Sequence, residues 1–162
     1  MSQDKIVKSV VLKAPLPRVW RAIADSAEFG GWFGMKFDGP FVAGQPVRGV
    51  VVPTTVDASI AAMQKPYAGM AFEIVIEKIE RERLFSFRWH PYGVEKDVDY
   101  TAEPMTLVEF VLKPQADGIL LTVTEFGFEN IPLARRAKAF GANEGGWAMQ
   151  MTLISGYLAR HP

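Results

Sequence analysis

The sequence predicts an α+β fold: an antiparallel sheet of about seven strands curled around one long C-terminal helix, with two short helices after the first strand. Three observations carry this. Before residue 130 most segments alternate apolar and polar residues at the period of two that a half-buried strand requires. Short polar turns separate those segments, which favours strands that pair with their neighbours in sequence. From Trp147 the period changes: Trp147, Met151, Ile154 and Leu158 recur in steps of four, three and four, a helical stripe widened by Leu153 and Tyr157. A strand-rich chain ending in an amphipathic helix needs a sheet to receive it.

Taken in order, residues 5–13 are rich in Val and Ile and read as a strand that Ala14-Pro15 ends. Leu16, Val19, Trp20 and Ile23 then fall at helical spacing. Asp25-Ser26 offers a cap, and residues 27–29 read as a second helical turn. Trp32-Phe33 stands between glycines, which predicts either a tight turn whose aromatics plug the core or a flexible lip at a cavity mouth. Residues 35–38 and 47–52 read as strands between Gly-Pro turn signals. Residues 53–69 are weakly patterned, a functional loop with a short helical turn or a mobile lid.

Residues 70–79 alternate, placing Phe72, Ile74 and Ile76 on one face and Glu73 and Glu77 on the other. Residues 80–83 form a charged turn. Residues 84–90 put Phe85, Phe87 and Trp89 inward and Ser86, Arg88 and His90 outward, so that a bulge would be needed to turn His90 in. Residues 91–104 read as a long polar hairpin loop, 106–113 as a strand with Val108, Phe110 and Leu112 inward, 114–118 as a turn and 119–128 as the last strand. Pro132 fits the first turn of the final helix. Gly145-Gly146 allows a close approach to the sheet, a kink, or a helix start.

Composition removes several function classes. The chain has 18 basic and 18 acidic residues in 162, giving no charge bias toward nucleic acid or an anionic membrane surface. It has no cysteine and two histidines, which leaves no disulfide, thiol nucleophile or histidine-rich metal site, and no metal or cofactor is expected. No apolar run is long enough to span a bilayer and no signal-peptide pattern opens the chain, so a cytoplasmic single domain over residues 1–162 is expected. Gly141 to Gly146 follows a helical segment, unlike a dinucleotide loop, and no Ser/His/acid set is present.

A sheet curled around one helix leaves concave apolar space, the usual setting of a ligand site. Trp32, Phe33, Phe72, Phe87, Trp89, Phe110, Trp147, Met151 and Ile154 are the candidate walls, since aromatic and Met side chains suit variable apolar ligands. Glu125 is the anomaly. It shares a strand face with Ile119, Leu121 and Val123, where an unpaired carboxylate would gain proton affinity and serve as a general acid or base. The plainer reading is that Glu125 pairs with a neighbour or reaches solvent and only supports the fold.

The ordered set Ala14-Pro15 with Val19-Trp20, Trp32-Phe33, Tyr67-Ala68-Gly69, Leu84 to Trp89, Gly127-Phe128, Pro132, Arg136, Asn143, Gly146-Trp147 and Tyr157-Leu158 resembles the activator-of-heat-shock-protein-90-ATPase-like family of the START-like (SRPBCC, Bet v 1-like) superfamily. The resemblance runs from about Val7 to Leu158. It implies a helix-grip fold, a seven-stranded antiparallel sheet around the C-terminal helix with an apolar cavity between them. Relatives include co-chaperone domains, lipid and hormone carriers, and cyclase-like or hydrolytic enzymes. Three expectations follow: binding of an apolar or amphipathic small molecule, a cavity enzyme using Glu125, and a stress-linked protein contacting a chaperone through its surface. The eukaryotic co-chaperones carry an additional N-terminal domain not represented in these 162 residues. A homodimer, through an apolar strand edge or an exposed aromatic pair such as Trp32-Phe33, is a further expectation.

Overall fold

The computed structural model of the chain describes residues 5–95 and 98–162. Strand β1 (Lys5–Leu12) is followed by helices α1 (Leu16–Ala24) and α2 (Ser26–Phe33), strands β2 (Met35–Phe37) and β3 (Pro46–Val51), and helix α3 (Ala58–Gln64). Then come β4 (Ala71–Glu80), β5 (Leu84–Trp89), β6 (Thr106–Gln115), β7 (Gly118–Phe126) and the 28-residue α4 (Leu133–Arg160). All pairings are antiparallel, in the order β1-β7-β6-β5-β4-β3-β2. The chain therefore meanders from β2 to β7, while α1 and α2 carry it from β1 on one edge to β2 on the other. This is the helix-grip α+β architecture.

The terminal helix buries the stripe that its spacing predicts: Trp147, Met151, Ile154 and Leu158, with Leu153 beside them. Ala139 and Phe140 extend the buried face two turns upstream. Truncating one such buried Leu, Ile or Met to Ala costs about 2–5 kcal/mol in a typical core. Helix α4 is unbroken through Gly145 and Gly146, so these do not start it; a Cβ at either would meet nothing within 4 Å, so close approach does not require them.

Four local expectations are corrected. Residues 30–34 are not a turn: α2 runs to Phe33 and Gly34 ends it at φ 101°. The reason is packing, since Phe29 sits among Trp32, Phe33, Phe41 and Phe110 with ring centroids 4.8–5.8 Å away. Gly30 lets β2 pass this helix, because a Cβ there would lie 2.2 Å from the Met35 carbonyl oxygen. Trp32 is fully buried and donates its indole N–H to the Ala22 carbonyl at 2.8 Å, so Trp32-Phe33 is no exposed pair for a dimer.

In β4 strict alternation breaks at a bulge. Ile76 pairs with Phe87 but Lys78 with Ser86, leaving Glu77 over and returning Ile79 to the inner side opposite Phe85. The turn after β6 shrinks to Ala116-Asp117, because β6 continues to Gln115 and β7 begins at Gly118. Residues 53–69 contain the short helix α3, capped by Asp57, which accepts from the Ser59 and Ile60 N–H groups.

The segment after β5 carries a 3₁₀ turn at Tyr100–Ala102; Lys96 and Asp97, within the predicted polar hairpin loop, lie outside the described residues. Arg135, in the first turn of α4, clasps it. Its guanidinium donates to both Glu103 oxygens at 3.0 and 2.7 Å, to Glu95 at 3.0 Å and to the Pro91 carbonyl at 2.8 Å, and lies over the Tyr100 ring. The hydrogen bonds from Arg135 to Glu103 raise its pKa, outweighing the burial that lowers it.

Candidate functional site

Glu125 lies on the inner face of β7, opposite Val108 of β6 and Ile6 of β1, and is 0 % exposed. Alternation along Ile119, Leu121 and Val123 places it there, as its position on the strand predicts. The premise of an unpaired carboxylate does not hold. One oxygen accepts from the Trp147 indole N–H at 2.8 Å and the Asn143 amide at 3.0 Å. The other accepts from the Trp89 indole N–H at 2.8 Å and the Thr106 hydroxyl at 2.5 Å, with Asn143 at 3.2 Å. No basic side chain is among these partners. Two strands and one helix thus point donors at a single acceptor, which satisfies a buried polar group and fixes the two indoles.

Those donors form a wall. On its other side lies a cleft of about 230 Å³ among the C-terminus of α2, helix α3, the ends of β3, β4 and β5, and the middle of α4. Phe33, Phe72, Trp89, Tyr67 and Tyr92 give it aromatic surface, and His90, Asn143, Gln64 and Gln150 give it polar atoms. A branch of about 80 Å³ reaches Trp147 and Gly146, and another of about 190 Å³ runs past His90 toward Tyr100. Two amides tie the rim together: Gln64 and Gln150 both donate to the Phe33 carbonyl at 3.0 Å, from α3 and α4 respectively. Gln64 also accepts from the Thr54 N–H at 2.8 Å.

Of the residues expected at the site, Phe33, Phe72 and Trp89 line the main cleft and Trp147 its smaller branch. Trp32, Phe87, Phe110, Met151 and Ile154 lie in the core without bordering these clefts, and Glu125 lies behind Trp89, Asn143 and Trp147. His90 does face the cleft. Strand β5 ends at Trp89 and the chain leaves the sheet, so alternation no longer governs the next side chain. Burial lowers the His90 pKa; Glu103 opposes this and Arg135 adds to it.

Asn143 and Gln150 were missed because the helical stripe was traced through apolar residues alone. Asn143 precedes Trp147 by four and Gln150 follows it by three, so both fall on the same face. Among the described residues no group of acidic and His side chains could hold a metal ion, and no helix is long and apolar enough to cross a membrane.

Comparison with known proteins fits this geometry. No curated protein matches the chain. Among solved structures it is similar to DynU16, a protein of the dynemicin biosynthetic locus, at 24% identity and a TM-score of 0.67 over 96% of this chain and 47% of that one. The chain thus spans about half the length of DynU16. It is also similar to the protein MLL2253 from Mesorhizobium loti, at 18% identity and TM-score 0.70 over 98% of both chains. A protein from Arthrobacter aurescens matches at 14% identity and TM-score 0.71, over 96% of this chain and 86% of that one. At these identities the likeness is one of fold. The model of the "Activator of Hsp90 ATPase homolog 1-like protein" family matches residues 13–159, and the chain belongs to that family.

Proposed function

We propose that this domain binds an apolar or amphipathic small molecule in the cleft between the ends of β3–β5, α2, α3 and α4. The observation that carries the reading is an aromatic cleft whose main chamber is lined, among the described residues, by no Lys, Arg, Asp or Glu side chain and is held in shape by hydrogen bonds at its back wall. Such a site desolvates a ligand at little electrostatic cost. Catalysis by Glu125 is the less supported reading. A general acid or base must lie within hydrogen-bond reach of its substrate, or one water away, and the indoles and Asn143 occupy that position.

The test is solvent extraction and native mass spectrometry of the protein purified without apolar additives, followed by titration of the stripped protein with apolar compounds while tryptophan emission is recorded. Trp89 borders the cleft, so occupancy should change its emission. Absence of a co-purifying species together with an unchanged emission across the compound set overturns the reading.

A further inference from the structure

The cleft holds two polar atoms without a partner among the described residues. Gln150 Oε1 and His90 Nδ1 are buried and find no hydrogen-bond partner there, and both side chains line the cleft. Buried polar atoms are rarely left unpaired, and two in one concave site call for a partner from outside the chain. The orientation of Gln150 is fixed by chemistry. Its other amide atom meets the Phe33 carbonyl oxygen at 3.0 Å, and a carbonyl only accepts, so the nitrogen must be there and the oxygen is the free atom. The remaining side-chain amides of the rim are engaged, Gln64 through both its atoms and Asn143 through its nitrogen. A free acceptor at the wall of an aromatic cleft needs a donor, and since Gln150 Oε1 has almost no accessible surface, a small shift of the side chain that opens it to the cleft accompanies binding.

Size narrows the class further. A cavity of about 150 Å³ suffices for benzene, so the main chamber of about 230 Å³, where Gln150 and His90 meet, accommodates one ring or two fused rings. A long acyl chain exceeds that chamber and would have to run on into the narrower branches. Among the described residues the lining of the main chamber carries no formal countercharge, with Glu73 reached only along the branch toward Tyr100, and burial favours the neutral form of His90, so the main chamber selects no ion. We infer that the ligand is a small uncharged aromatic molecule, of one or two rings, carrying a hydroxyl or N–H that donates to Gln150 Oε1. This rests on the reading of the cleft as a ligand site and names the class of molecule that site takes.

The experiment compares 1-naphthol, 1-methoxynaphthalene and palmitate on the stripped wild-type protein and on Gln150→Leu, by calorimetry and tryptophan emission. The ether keeps the rings and removes the donor, so a site built to receive a hydroxyl rejects it. On wild type 1-naphthol should bind at least tenfold more tightly than the ether, and palmitate should not bind; on Gln150→Leu the preference for naphthol should vanish. Equal affinity of naphthol and ether on wild type overturns the inference while leaving the cleft a ligand site. A preference that persists in Gln150→Leu overturns the role of Gln150. Binding of palmitate but of neither naphthalene overturns the inference in size, charge and ring together while leaving the cleft a ligand site, and binding of none overturns the inference, with the extraction result then deciding separately whether the cleft is a site. The wild-type comparison stands even where the variant does not fold.

Discussion

Replacing Glu125 by Gln removes one acceptor from a cluster in which three of the four partner groups only donate. Gln offers one carbonyl oxygen and one NH₂. With the NH₂ turned toward Trp147, the indole N–H loses its acceptor and the Asn143 amide keeps only its longer contact of 3.2 Å. With it turned the other way, Thr106 can accept from it but the Trp89 indole N–H, now 2.8 Å from a donor, cannot. At least one buried donor is orphaned in either case, at about 1–3 kcal/mol. For a domain of this size each kcal/mol moves Tm by about 2–4 °C, so a fall of roughly 2–12 °C is expected. Urea denaturation followed by tryptophan emission measures this directly. The double variant Trp89→Phe, Glu125→Gln supplies the sharper check: Phe brings no donor, so the Gln substitution should cost at least about 1 kcal/mol less in that background than alone. A Glu125→Gln protein with wild-type stability, or strictly additive single changes, would refute the account of Glu125 as the acceptor that fixes the two indoles. Loss of any activity in this variant would therefore reflect a displaced wall before it reflected lost proton transfer.

Three further outcomes are expected. Gly30→Ala should destabilise by about 1–3 kcal/mol, because its Cβ meets the Met35 carbonyl oxygen at 2.2 Å, whereas Gly31→Ala, with nothing within 4 Å, should stabilise by about 0.5–1 kcal/mol; urea midpoints moving in the same direction for both would sink the argument. Arg135→Met strands the buried Glu103 carboxyl without its bidentate partner and should cost about 3–5 kcal/mol, with faster amide exchange over residues 98–104; a loss below 1 kcal/mol would show that the clasp contributes little. Glu28 is an acid-sensitive group: burial raises its pKa, but hydrogen bonds from Tyr157, Arg18 and Arg21 outweigh this and hold it below 4.5. A carboxyl lowered on folding stabilises above its unfolded value and loses that contribution as pH falls through its folded value, so wild-type stability should decline below pH of about 4.5 more steeply than that of Glu28→Gln. Parallel pH curves would contradict it.

The strands and the final helix were legible because each shows one period against one buried face. The inner faces of β5, β6 and β7 follow from alternation alone, and so does the inward position of Glu125. What failed to show was set by tertiary packing. Two consecutive glycines weaken a helix locally, yet α2 forms through them because Phe29, Trp32 and Phe33 must enter the core together and β2 must pass close to Gly30. The β4 bulge and the inward turn of His90 depend on where pairing slips or stops, which a period cannot report. Asn143 and Gln150 carried a signal, polar residues at helical spacing from Trp147, that becomes meaningful only once Glu125 and Phe33 are seen to face them.

The polar cluster also explains why the site and the core cannot be separated. An aromatic wall held only by dispersion can re-pack around different ligands, since each atomic contact contributes little. Here Trp89 and Trp147 are held by indole N–H groups aimed at one carboxyl, their rings 5.7 Å apart, and a ring that turns must give up its hydrogen bond. Asn143 donates to the same carboxyl and borders the cleft on its other side. The wall therefore moves as a unit or not at all, and a ligand pressing on Trp89 or Asn143 presses on Glu125 through it. Freedom of adjustment is left to the rim opposite, where Met35, Val51, Tyr67 and Phe72 make no side-chain hydrogen bond among the described residues. Ligand shape should accordingly be read at that rim, while the β7 side of the cleft stays fixed.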